Sequence, residues 1–143
     1  MDYRFLKKRI KKNEGFSNTV YKDQFGNPTI GYGHLIKPNE KNLFLKKQNK
    51  ALLNKIFEKD FNKALISFNK HFNSPGARSR KKNELIIEMI FQIGIKGVLK
   101  FKKMIKQIED NNNHLAALEM MDSLWYLQTP RRVENLINYF LYR

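Results

Sequence analysis

The stretch Gly26-Asn27-Pro28-Thr29-Ile30-Gly31-Tyr32-Gly33-His34 most constrains what this chain can fold into, because it sets turn formers and β-type residues inside an otherwise helical sequence. Thr19 to Asp23 precedes it as another run of strand formers, so the two read as a hairpin around a turn containing Gly26 and Pro28. Alternation along the second strand puts Thr29, Gly31 and Gly33 on one face and Ile30, Tyr32 and His34 on the other. The first face is then almost bare backbone, which suits close approach of a ligand.

The rest of the chain carries helical patterns. Residues 2 to 13 read as a helix with Asp2 as its cap, Tyr3, Leu6 and Ile10 as an apolar stripe, and Gly15 beyond its end. Residues 41 to 71 form a long pattern of one or two helices, striped by Leu53, Ile56, Phe57, Phe61, Ala64, Leu65 and Phe68 and interrupted by Asp60. The segment 83 to 93 is apolar nearly all round and should be central; 98 to 108, 114 to 122 and 130 to 142 follow, the last with Thr129 as N-cap and Pro130 as first helical residue. Breaks fall at Asn73-Ser74-Pro75-Gly76 and at Asn111-Asn112-Asn113. The fold class is α+β, mostly α, and a length of 143 residues suits one domain, possibly divided by a cleft.

The absence of cysteine excludes a disulfide framework, thiolate metal sites and cysteine nucleophiles. His34, His71 and His114 lack clustered ligand spacing, so no metal is expected. A net charge of +15 implies attraction to polyanions, whether nucleic acid, anionic membrane or the bacterial envelope. The lysines are scattered over several elements without a recognition-helix signature, which argues against specific nucleic-acid binding. The opening MDYRFLKKRIKK has no apolar run of signal-peptide or anchor type, so the expected starting compartment is a cytoplasm.

Chemistry concentrates between Asn13 and His34. Glu14 follows a helix, Asp23 ends one strand and Thr29 starts the next. Glycoside hydrolysis needs an acid to protonate the leaving oxygen and a second carboxylate as base or nucleophile; a hydroxyl beside that carboxylate can orient water. At a helix C-terminus an ionised Glu14 faces the negative end of the dipole, so protonation is favoured there. A solvated surface glutamate is the competing reading of that position alone.

The run E-G-x5-Y-x-D-x5-T-I-G-Y-G-H from Glu14 to His34, then Phe91 to Phe101 (FQIGIKGVLKF), then Trp125 to Arg132 (WYLQTPRR), closely resembles the phage-type lysozymes in the same order over nearly the whole chain. The resemblance implies a hairpin-bearing N-terminal lobe at about 14–50, a linking helix at about 51–71, and a helical C-terminal lobe at about 72–143 that also takes in helix 2–13. It implies cofactor-free cleavage of the β-1,4 bond between N-acetylmuramic acid and N-acetylglucosamine in peptidoglycan. In that scheme Glu14 donates the proton, and Asp23 and Thr29 position water for inversion. A monomer, drawn to the anionic envelope and let through to the wall from the host cytoplasm by a holin-type partner, completes the expectation. A lytic transglycosylase, a retaining muramidase and a non-catalytic wall-binding module remain the alternatives.

Arg132, a cation in the first turn of the last helix, is electrostatically misplaced, and the resemblance pairs it with Glu14. It also pairs His34 with Asp60, read here as an ion pair holding the hairpin to the long helix. Gly33, Leu35, Phe91 and Gln92 correspond to cleft-wall positions. Met104 and Glu119 stand where family members can carry a small hydroxyl residue and an amide that contact saccharide, so substrate contacts there must differ. Trp125 and Tyr126 are assigned to structure.

Overall fold

The computed structural model describes residues 2–72 and 78–142. It is mostly helical with one small antiparallel sheet, and the chain divides into two compact units, Met1–Lys63 and Ala64–Arg143. The break expected at Asn73-Ser74-Pro75-Gly76 lies outside the described residues.

The first unit opens with α1, Arg4–Glu14. Leu6 and Ile10, one helical turn apart, are fully buried, while Lys8 and Lys12 are exposed. The helix starts later than the apolar stripe suggests, with Tyr3 at the N-cap position, although Asp2 Oδ1 still accepts the Arg4 N–H at 2.9 Å. It also ends later. Glu14 is its last residue rather than the one after it, and Gly15 leaves the helix at φ 74°, a conformation that costs a residue with a Cβ.

Three strands follow, β1 (Ser17–Lys22), β2 (Pro28–Gly31) and β3 (His34–Leu35), paired in the order β1-β2-β3. The expected second strand is therefore two. Gly31 at φ 67° and Gly33 at φ 78° reverse the chain through Tyr32, so Ile30 pairs with His34 and Thr29 with Leu35. Alternation predicts faces only while the backbone stays extended; two left-handed glycines end that condition after Ile30. Ile30, Ile36, Leu43 and Leu53 form the small core beneath, with Val20 and Ile56 packed against it.

A 3-10 segment, Pro38–Phe44, leads to α2, Lys50–His71. Within residues 50–63 it buries Leu53, Phe57 and Phe61. Helix α1, which the resemblance groups with the C-terminal lobe, makes close contacts inside the first unit: Lys7 Nζ lies 2.8 Å from Glu58 Oε2, and the Tyr3 and Phe61 rings are 5.8 Å apart.

The second unit is built on α3, Arg80–Leu99, whose residues Leu85, Ile86, Ile87, Met89 and Ile90 are all buried, as a segment apolar on every side requires. Gly94, at φ 78°, interrupts its helical geometry. The helices α4 (Lys102–Glu109), α5 (Asn113–Met121), α6 (Leu124–Gln128) and α7 (Pro130–Tyr142) follow, α4 packing on α5, and α7 on α3, α5 and α6. Residues 98–101 close α3 and enter α4, so the expected helix 98–108 starts at Lys102. The short α6 has no counterpart in the periodicity. Ser123 caps it by accepting the Tyr126 N–H at 3.1 Å. The Thr129 hydroxyl donates backward to Trp125 O at 3.0 Å, finishing α6.

Ile87, fully buried on α3, sets the scale of this core. Ile87→Ala should lower unfolding free energy by about 2–5 kcal/mol in urea titration, because the removed methyl groups leave a cavity among close-packed helices.

Candidate active site

Two backbone features bring the hairpin's polar groups together. The Asn27 carbonyl accepts both the Asp23 N–H and the Thr29 hydroxyl, each at 2.9 Å, so one oxygen ties the carboxylate-bearing end of β1 to the hydroxyl-bearing start of β2. Asp23 Oδ1 in turn accepts the N–H groups of Phe25 and Asn27, both at 2.9 Å, and thereby shapes the turn. Among the described residues, Asp23 Oδ2 has only a long contact, 3.4 Å, with the Asn27 side-chain amide. Thr29 is 2% exposed and has committed its proton, which leaves its oxygen lone pairs as acceptors.

Glu14 reaches the sheet from α1. A Cβ at Gly33 would stand 3.0 Å from Glu14 Cδ and 3.5 Å from its Cβ, with Oε2 closer still. Gly33 thus serves two needs at once, a φ of 78° and a surface on which the carboxyl group can lie. Burial, followed by the negative fields of Glu14 and Asp23, raises the pKa of the Tyr21 phenol, so both carboxylates act on the same point of β1. Leu35, opposite Thr29 on β3, is exposed.

His34 is buried between two carboxylates. Its Nδ1 lies 2.7 Å from Asp60 Oδ2 on α2, and its Nε2 lies 3.0 Å and 3.1 Å from the two oxygens of Glu40. Only the doubly protonated ring can donate to both sides. The pKa of His34 is raised accordingly, first by the Asp60 hydrogen bond, against the lowering effect of burial and with further help from Glu40. For Glu40, burial pushes the pKa up, but hydrogen bonds from the Lys37 N–H and His34 together bring it below the ordinary 4.5. Sequence reading missed Glu40. Its signal was Pro38 followed by Glu40 after an extended Lys37, a helix-start pattern in which the glutamate turns back to the entering backbone.

In the second unit, Met104 and Glu119 come together at one pocket of about 700 Å³, with Phe101, Leu124 and Trp125 among its walls. Met104 is itself fully buried, and Trp125 is held edge-on to Phe101 at 5.7 Å. Phe91 and Gln92 lie on α3 shortly before the Gly94 irregularity; the Gln92 Oε1 is buried with no hydrogen-bond partner among the described residues. The Arg132 guanidinium lies 3.4 Å from the fully buried Glu88. No group of three or more metal-ligating side chains occurs among the described residues, and no helix among them is long and apolar enough to cross a membrane.

The Phage lysozyme family profile matches residues 11–138. The chain belongs to the phage lysozyme family. It is 35% identical to "Probable T4-type lysozyme 2" of Dictyostelium discoideum, over 94% of this chain and 92% of that one. It is 32% identical to "Probable T4-type lysozyme 1" of the same organism, over 93% and 91% respectively. The "Pre-baseplate central spike protein Gp5" of Enterobacteria phage T4 is 29% identical over 89% of this chain, which spans 26% of that longer protein. Membership in the phage lysozyme family makes the chain a lysozyme-type glycoside hydrolase with peptidoglycan as its substrate.

Gly33→Ala should cost about 1–2 kcal/mol from its left-handed backbone and should also reduce lysis of permeabilised cells at least about tenfold by displacing Glu14. Gly94→Ala, strained at the same φ of 78° but with open space at its Cβ, reports the strain alone. For His34, stability supplied by the raised pKa is complete below about pH 6.5 and fades as pH rises through the folded value; that from Glu40 is present above about pH 4.5 and fades as pH falls through its lowered value. Thermal unfolding should therefore show His34→Gln losing more stability relative to the parent at pH 6 than at pH 9.

Proposed function

We propose that the chain cleaves the β-1,4 bond between N-acetylmuramic acid and N-acetylglucosamine with inversion, Glu14 acting as general acid and Asp23 with Thr29 holding the attacking water. The observation that carries this reading is the shared Asn27 carbonyl, which fixes Asp23 and Thr29 as neighbours through the backbone. Asp23 Oδ1 is occupied by two N–H groups, so Oδ2 is the oxygen with basicity to spare. The Thr29 oxygen can only accept. A water donating one hydrogen to Asp23 and the other to Thr29 keeps its lone pair directed outward, as a nucleophile must. The burial of Thr29 would screen that water from bulk solvent.

The leaving oxygen needs a proton from the opposite side, and Glu14, lying on Gly33 at the end of α1, is the carboxyl group available to give it. The same reading assigns Gly33, Leu35, Phe91, Gln92 and Glu119 to substrate contacts, and the fully buried Met104 to the packing of the pocket wall it shares with Glu119. The charge of +15 supports attraction to the anionic envelope.

A lytic transglycosylase or a retaining enzyme has no use for a water gripped by Asp23 and Thr29, which favours the inverting reading over both. Purified peptidoglycan should yield new reducing ends in the α-anomeric form. The β-anomer would mean retention, and 1,6-anhydro ends would mean transglycosylation. Glu14→Gln, shown to be folded, should lower the rate by about 10²–10⁴-fold, the usual contribution of a placed proton donor. Equal rates for this variant and the parent would sink the assignment.

A further inference from the structure

We propose that Tyr21 is a saccharide-contacting residue of this site, offering its ring face and its phenolic O–H to the N-acetylated sugar that lies over Thr29. The proposal rests on the catalytic reading above and adds a residue to it.

The placement comes from strand register. Tyr21 pairs with Thr29, and Thr29 pairs with Leu35, so the three form one row across the sheet. Directly opposed residues of antiparallel strands share a face. The buried Thr29 hydroxyl is thus flanked by two apolar side chains that remain open, Tyr21 at 37% and Leu35 at 52% exposure.

This row depends on an irregularity in β1. Ser17 pairs with Gly31, and continuing that register would set Thr19 against Thr29. The pairing shifts between Ser17 and Tyr21, so that the aromatic residue takes the position instead. Bulges recur beside active sites because they re-aim a side chain in this way.

The hairpin's other tyrosine has a packing role. Tyr32 lies 4.9 Å from the Phe16 ring and 5.6 Å from Phe57. Tyr21 makes no ring contact and no hydrogen bond to any described residue, so neither its face nor its hydroxyl is consumed by the fold. An open aromatic face beside a hydroxyl donor matches a pyranose ring, which presents C–H groups on one face and oxygen acceptors at its edge. Burial, followed by the fields of Glu14 and Asp23, raises the pKa of the phenol from its ordinary value, so the O–H stays a donor.

The test uses soluble, peptide-free glycan strands. Tyr21→Ala should raise KM about tenfold and Tyr21→Phe about threefold, with kcat changed less than KM, the signature of lost substrate binding. Tyr21→Trp, which restores a ring, should recover most of the loss seen with alanine. A purely structural role would instead follow the melting temperature and leave KM untouched. Calorimetry of the same strands on Glu14→Gln and on Glu14→Gln/Tyr21→Ala measures affinity without turnover. Affinity about tenfold weaker in the double variant supports the contact; equal affinities overturn it. Equal cleavage rates for the parent and Glu14→Gln would instead refute the catalytic assignment, and the calorimetry would still decide Tyr21.

Discussion

The left-handed backbone at Gly31 and Gly33 is the constraint on which the rest of the first unit depends. With these residues extended, β2 would run on through Tyr32 and no β3 would pair with it. The reversal returns His34 to Ile30 and Leu35 to Thr29, which places an imidazole against α2 and an aliphatic side chain beside the buried hydroxyl. It also removes the side chain that would occupy the position of the Glu14 carboxyl group. One short run of backbone thereby sets the locations of an acid, a hydroxyl and a buried cation.

A second device is the His34 cluster. A buried imidazolium is costly in isolation, and here Asp60 and Glu40 supply one acceptor to each ring nitrogen. The three groups come from β3, the 3-10 segment and α2, so the cluster joins all three elements through one side chain. Its counterpart in the second unit is Arg78, whose guanidinium meets Glu109, Asn83 and the Phe72 carbonyl while lying over the rings of Phe68 and Phe72. In both places a cation is held in the interior by satisfying its donors rather than by a lone opposite charge.

How much of this could be read from the residues follows from the range of each signal. The stripe from Leu53 to Phe68 and the all-round apolar run from Leu85 to Ile90 repeat over many residues, and burial follows both. The sign of φ at Gly31 and Gly33 carries no periodicity; the same glycines serve a bare strand face or a reversal, and only the pairing of His34 with Ile30 separates the two. Helix α6 is too short to show a period, and its Ser123 cap is a single residue. At the proposed site, Glu14, Asp23 and Thr29 were singled out through the family resemblance, whereas the common Asn27 carbonyl is a backbone atom that side-chain patterns do not reveal. The approach of Glu40 to His34 was hidden because it arises from a local turn and not from a stripe.

The lysines of α1 bear on how the formal charge of +15 acts. Lys7 lies over the Phe61 ring at 5.1 Å and pairs with Glu58, while Lys11 lies 5.1 Å from the Tyr32 ring centre and 4.9 Å from that of Phe57. Lys82 is buried beside Asn111. These cations already have interior work, and their stems cover apolar surface. Fewer of the chain's positive charges are therefore mobile and wet than its composition counts.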